Sequence, residues 1–247
     1  MTVDTKITIG EIVTEDFRTA AVFSKHGIDF CCKGDRTLEE VCEKKNVPIN
    51  VLMDELAQAA CSAGQAIDYD SWPSDLLIDY IEKKHHRYIE EKTPVILQYL
   101  NKLCKVHGQR HPELFSVYDA FSESAGELAA HMKKEELMLF PFIKKMLKAK
   151  QENIPLESPH FDSVENPVAM MKHEHVTEGE RFEEIAKLTN NYNPPADACS
   201  TYRVTFAMLE EFERDLHTHI HLENNILFPR AIAMEKELQN AATWRNM

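Results

Sequence analysis

Two segments of this chain repeat one another: His131-Met-Lys-Lys-Glu135-Glu-Leu-Met-Leu-Phe-Pro141 and His219-Ile-His-Leu-Glu223-Asn-Asn-Ile-Leu-Phe-Pro229. Both read His-x3-Glu and then Leu-Phe-Pro, and they lie 88 residues apart (131 to 219). A helix brings residues i and i+4 to one face, about 5–6 Å apart at Cβ, so each His and its Glu can act on one centre. At helical period, Phe212, Leu216, His219, Glu223 and Ile226 share an apolar stripe. Phe121, Leu128, Met132, Glu135 and Leu139 share another, with His131 at its edge. A carboxylate in the middle of an apolar face is costly unless charged partners or a metal satisfy it. Two such carboxylates, each with a His one turn before it, call for a cation between two packed helices.

Other helices should supply ligands at the same depth. Met171, His175, Phe182 and Ile185 form a stripe that turns His175 inward. Further upstream stand His85 and His86. Periodicity with Ile78, Ile81, Ile89 and Ile96 favours His85, whereas the repeat register, 89 residues from 86 to 175, favours His86. Four His and two Glu suit two borderline metals, one per His-rich half, with the carboxylates bridging. Glu127, one turn before His131, and Glu174, beside His175, are placed either to orient ligands or to lie on a solvated helix edge.

The fold class expected is all-α. Only 7 of 247 residues are Gly, and strand-type alternation is absent. The pattern gives four long amphipathic helices at roughly 75–105, 113–148, 166–190 and 197–237, a four-helix bundle over 75–247 with a kink expected at Pro94. Residues 64–74 read as a linker. Residues 1–63 read as a small helical domain, in which Thr37 and Glu40 make a capping box and Gly27 ends a helix. The formal net charge is −13, which argues against nucleic acid or an anionic membrane as partner. No stretch of about 18 apolar residues is present, and the acidic N-terminus lacks the apolar core of a secretory signal. Six Cys without regular spacing read as cytosolic thiols, so a cytoplasmic location is expected. Cys42, Cys61, Cys104 and Cys199 read as packing, and His26, His107, His111 and His160 as solvent-exposed.

The adjacent Cys31 and Cys32 are the small domain's candidate functional residues. A disulfide between neighbours requires a strained ring, whereas as thiols they can bind a soft metal or exchange with other thiols. Lys33 and Arg36 would lower a thiol pKa and the end of the preceding helix would oppose that, which leaves its direction open.

Taken together, these motifs resemble the iron–sulfur cluster repair di-iron family, in which a vicinal-cysteine domain precedes a hemerythrin-like bundle. The likeness spans nearly the whole chain. It rests on His-Gly-Ile-Asp-Phe-Cys31-Cys32 with the following Arg-Thr-Leu-Glu-Glu-Val-Cys, on Leu77-Ile-Asp-Tyr-Ile…His86 with Pro94, on His131…Glu135, on Glu174-His175, and on His219…Glu223 with Leu-Phe-Pro-Arg. The resemblance implies His86, His131, Glu135, His175, His219 and Glu223 as ligands of two non-haem irons per chain, carboxylate- and oxo-bridged. It also implies repair of iron–sulfur clusters damaged by oxidative or nitrosative stress, by supplying iron. Damaged iron–sulfur proteins would be the partners and NO or O2 the small ligands, with room for a homodimer. The alternatives are an enzyme that reduces NO to N2O with electrons from Cys31 and Cys32, and a module that binds O2 or NO as a sensor. With the linker as a tether, the cysteines are expected to approach the di-iron centre transiently.

Overall fold

The computed structural model describes residues 6–61, 67–157 and 159–245, the last four in backbone only. Among them every regular element is helical; the one extended feature is an isolated antiparallel bridge between Thr8 and Thr37. The small domain holds α1 (Ile9–Glu15), α2 (Ala20–Lys25), α3 (Leu38–Lys45) and α4 (Ile49–Cys61). Capping boxes start α1 (Thr8 with Glu11) and α3 (Thr37 with Glu40) and satisfy the first free amides. Gly27, at φ +61°, ends α2: its N–H donates to the Ser24 carbonyl and that of Ile28 to the Phe23 carbonyl. This pair of bonds is the left-handed helix stop that glycine permits. It delivers Asp29–Cys32 to the face of the second domain.

That domain is a bundle of four long helices. The first, α5, runs through Ser74–Tyr80, a π-turn at Ile81–His86, and Arg87–His107. The second, α6, comprises Glu113–Lys134, a π-turn at Glu135–Leu139, and Phe140–Glu152. The third, α7, is Glu165–Leu188. The fourth, α8, comprises Ser200–His221, a π-turn at Leu222–Leu227, and Phe228–Arg245. Each packs on its neighbours in the cyclic order α5, α6, α7, α8. Pro94 lies inside the last segment of α5, and the irregularities fall at the π-turns. Two of these have a cause in the repeat. Pro141 and Pro229, which lack an N–H, stand two residues past a π-turn. The amides of Phe140 and Phe228 reach back five residues to the carbonyls of Glu135 and Glu223. Of the expected linker, residues 64–66 lie outside the described residues. The rest holds a short turn, Tyr69–Ser71, tied to α8 where Arg230 Nη1 donates to the Trp72 carbonyl at 2.7 Å.

The apolar interior comes in two parts. One, with Ile89, Phe121, Phe182, Phe212 and Leu216, continues into the small domain through Phe23, Phe30 and Leu38. The other, with Ile81, Leu139, Met171, Leu222 and Phe228, fills the far end of the bundle. A polar layer divides them. On every helix the stripe residues on either side of the layer belong to different parts.

The small domain docks on the outer face of α8. Phe30 lies 5.8 Å from the His221 ring and Phe17 5.7 Å from it, centroid to centroid. Asn225 Nδ2 donates to the Phe30 carbonyl (3.3 Å) and to His221 Nδ1 (2.8 Å). Gly10 and Gly34 make this approach feasible: a Cβ on Gly34 would fall 2.6 Å from the Phe30 carbonyl and 3.1 Å from Asn225 Oδ1. His107 is also buried, its Nε2 3.2 Å from Cys199 Sγ, where the sequence suggests a solvent-exposed residue. The end of α8 covers it.

Burial pushes His221 down to about 3, so the folded protein holds it neutral. The unfolded chain takes up a proton near the ordinary value of about 6.5. The stability from the neutral ring is therefore complete above about 6.5 and is lost as pH falls from there through about 3. Between pH 7 and 5 the loss is about 2 kcal/mol at about 1.4 kcal/mol per pKa unit. His221→Phe should lose about that much less than the parent over the same interval, in urea unfolding curves at the two pH values. Equal losses would show that the ring is solvated.

Candidate metal centre

The polar layer is built by all four bundle helices. His86, Glu135, His219 and Glu223 gather in one cluster, and His131, Glu135, His175 and Glu223 in a second, with the ligating atoms of each within 4.8 Å of one another. The two clusters share both glutamates. All six side chains are buried, and Glu135 and Glu223 are 0% exposed. His86 Nε2 and His131 Nε2 each lie 3.4 Å from Glu135 Oε2. His219 Nε2 is 3.0 Å from Glu223 Oε1 and His175 Nε2 3.2 Å from Glu223 Oε2.

These contacts leave the layer unsatisfied. Among the described residues, neither oxygen of Glu135, nor Glu223 Oε2, nor His86 Nε2 has a hydrogen bond of good geometry. Buried polar atoms without partners are rare and costly. Converging imidazole and carboxylate donors of this kind suit a pair of borderline cations, so the residues present fit the metals that such a bundle would hold.

A surrounding layer fixes the imidazoles. His86 Nδ1 meets Glu136 Oε1 at 3.0 Å, and Glu136 is in turn held by Lys133 at 2.7 Å. His131 Nδ1 meets Glu174 Oε2 at 2.8 Å, with Lys134 on the other oxygen. His175 Nδ1 meets Asn224 Oδ1 at 2.9 Å. The Asn224 amide is oriented because its Nδ2 donates to the Cys31 carbonyl at 3.1 Å. Its oxygen must then accept from His175, which places the proton on Nδ1 and leaves Nε2 a lone pair facing inward. His175 Nε2 sits 3.0 Å from His131 Nε2. Two such lone pairs repel unless a positive charge lies between them, either a proton or a metal ion. Burial disfavours a charge on His131, but Glu135, Glu174 and Glu223 outweigh it and push the ring up to about 10. The same contest raises His86, while burial wins at His219 and lowers it. Burial also works against the charge on Glu223, yet His219 and His175 hold it well below the usual carboxylate range.

The structure places His85 and His86 differently. The π-turn Ile81–His86 adds a residue to one turn of α5 and shifts the register by a residue, so both histidines point inward. His86 enters the cluster. His85 sits one layer out, its Nδ1 3.0 Å from Asp215 Oδ2 and its ring stacked on His219 at 5.7 Å. Plain helical period could not reveal this. Glu174 is a partner of His131, while Glu127 instead pairs with Arg181 at 3.0 Å. Glu136 and Asn224 were missed by the sequence reading. They do carry a signal: each directly follows the glutamate of its repeat copy, and each is polar where the stripe is buried.

Cys31 and Cys32 lie against this centre. Cys32 Sγ donates to the His175 carbonyl at 3.2 Å, and Gly179, one turn on, leaves room for it. The two sulfurs are 3.6 Å apart and unbridged. The approach expected to be transient is thus a docked arrangement. Burial pushes the Cys31 thiol well up, and the neighbouring Cys32 and Asp29 push it further, so Lys33 and Arg36 do not decide the direction. No helix among the described residues is long and apolar enough to cross a membrane.

His86→Ala should abolish binding of one metal per chain, and His85→Ala should retain the full complement, both measured by metal analysis of purified protein. The reverse pattern would mean that the π-turn does not set the register.

Comparison with known proteins accords with this geometry. Residues 77–231 match the hemerythrin HHE cation binding domain, and residues 5–60 match ScdA_N, a domain of unknown function. The chain is 31% identical over 220 residues to the iron-sulfur cluster repair protein ScdA of Staphylococcus haemolyticus, covering 89% of this chain and 95% of that one. It is 35% identical over 230 residues to the iron-sulfur cluster repair protein YtfE of Enterobacter sp. (strain 638), covering 92% and 97%. To YtfE of Musicola paradisiaca it is 32% identical over 227 residues, covering 92% and 96%.

Proposed function

The chain belongs to the hemerythrin HHE family, in the form that carries a ScdA_N domain ahead of the bundle, and from that membership we propose that it repairs damaged iron–sulfur clusters by supplying iron. The observation that carries the reading is the pair of fully buried, donor-poor carboxylates facing four imidazole nitrogens. In this reading His86, His131, Glu135, His175, His219 and Glu223 would hold two irons per chain, with both glutamates shared between them. Bound there, the irons would supply a releasable store and open positions for NO or O2. Nitrogen and carboxylate donors hold iron less firmly than a thiolate cluster does, which suits a donor.

The two halves of the site are not equivalent. At one, Glu174 and Asn224 grip both imidazoles, His131 and His175, and the cysteines lie directly behind His175. At the other, His219 Nδ1 has no partner among the described residues. In this reading the iron passed on would be the one beside the cysteines, held by His131 and His175, and Cys31 and Cys32 would receive it on the way to a damaged iron–sulfur protein in the cytoplasm. All six ligands come from one chain, so a homodimer is accommodated but not required.

The close sulfurs favour one second reading, reduction of NO to N2O. Two NO would take two electrons and two protons to give N2O and water, and the two thiols would supply both on becoming a disulfide.

Replacing both cysteines by Ser should leave the iron content of the bundle unchanged, because none of the six ligands is touched. Iron transfer to an apo iron–sulfur protein should slow at least about tenfold, since a hydroxyl is a poor soft-metal ligand. Transfer at the parental rate would remove the cysteines from the mechanism. Steady N2O production by the parent protein with a thiol reductant, without iron loss, would favour the second reading.

A further inference from the structure

Asp29 joins the two cysteines in a third cluster of potential ligands, outside the bundle's own layer. Asp29 Oδ1 is 3.2 Å from Cys31 Sγ, and Cys31 Sγ is 3.6 Å from Cys32 Sγ. A tetrahedral metal with bonds of about 2.3 Å to sulfur and about 2.0 Å to oxygen sets its ligands about 3.8 Å (S to S) and about 3.5 Å (S to O) apart. Both distances therefore stand within a few tenths of an ångström of that geometry, and all three ligand atoms lie within 4.8 Å of one another. The loop is pinned there: Asp29 Oδ1 accepts the amides of Cys31 (3.1 Å) and Cys32 (2.9 Å). A thiol proton bridges Cys31 and Asp29 where a cation would sit.

The opposing helix is shaped to leave this space free. A Cβ on Gly179 would come within 3.2 Å of Cys32 Sγ and 4.0 Å of Asp29 Oδ2. Glycine in the middle of a helix costs about 1 kcal/mol relative to alanine, and here it clears the ground over the trio. Cys32 and Asp29 are partly exposed while Cys31 is buried, so the cluster opens to solvent on one side. Three protein ligands leave a fourth position for water or for a donor on another protein.

We propose that Asp29, Cys31 and Cys32 form a second metal site, of mixed carboxylate and dithiolate type, that takes one borderline divalent cation such as Fe2+ or Zn2+. It deepens the cysteine role given above, since it makes the pair a ligand set and not a reductant. Binding releases the two thiol protons to water and moves no electron; two metal–sulfur bonds and one metal–oxygen bond replace two S–H bonds. The site lies one hydrogen bond from the His175 carbonyl, through Cys32 Sγ, and two from the His175 ring, through the Cys31 carbonyl and Asn224.

The test uses full-length, iron-loaded protein in which the two exposed thiols are removed (Cys61→Ser, Cys199→Ser). Titration with Co2+ should give a near-ultraviolet thiolate-to-cobalt charge-transfer band that saturates at one equivalent. Nitrogen and carboxylate ligands cannot produce that band, so the signal is separate from the bundle site, and it should appear whatever the iron content proves to be. Cys31→Ser or Cys32→Ser should abolish it. Asp29→Asn keeps the backbone hydrogen bonds but not the charge, and should weaken cobalt affinity at least about tenfold with the helical circular dichroism unchanged. Absence of a thiolate band at one equivalent would overturn the proposal, as would a band of unchanged affinity in Asp29→Asn.

Discussion

Two buried carboxylates, Glu135 and Glu223, with three of their four oxygens lacking a hydrogen-bond donor among the described residues, lie in a plane between two apolar cores, and the rest of the structure is arranged around them. An isolated buried charge costs several kcal/mol even after relaxation. Here two lie in one layer, where their repulsion adds to that cost. Four imidazoles converge on them, and three of those are themselves oriented by Glu136, Glu174 and Asn224. The layer is stable only with positive charge inside it. A proton at His131 can fill that need in the absence of metal, and a pair of cations fills it better because every inward atom then has a partner.

The repeat makes the centre nearly two-fold symmetric, and one departure from symmetry joins it to the small domain. Glu136 and Asn224 occupy equivalent positions and perform equivalent tasks, one for His86 and the other for His175. Glu174 and His85 are likewise equivalent, each preceding a cluster histidine, yet only Glu174 offers an oxygen to the imidazole across from it. Substituting Asn for Glu at position 224 adds an amide N–H, and that N–H reaches the Cys31 carbonyl. One change in the repeat thus couples the bundle to the small domain. His221 and Asn225, on the outer face of the same turn, supply the rest of the contact.

Much of this was legible in the sequence, for physical reasons. Apolar stripes at helical period placed the four helices, and the misfit of a Glu on such a stripe marked the centre. Gly27 and the Thr37–Glu40 pair announced their caps because those motifs are local. Three features escaped because they are not local or not periodic. The π-turn in α5 has no proline beside it to signal it, so His85 and His86 stayed ambiguous. Pro94 suggested a kink within a segment of α5 that remains helical. His221 looked like an outward residue because the face opposite the centre is covered by a loop some 190 residues away in sequence, and no pattern within α8 records that cover.

The most direct test is Mössbauer spectroscopy of protein isolated from cells grown with enriched iron and purified with no metal added. Shared carboxylates between two histidine pairs should give two high-spin, antiferromagnetically coupled irons per chain, in equal amounts and with distinguishable quadrupole doublets, because the His131/His175 and His86/His219 halves differ in their outer hydrogen bonds. A single uncoupled iron per chain, or two irons without exchange coupling, would contradict a centre built on Glu135 and Glu223 as common ligands.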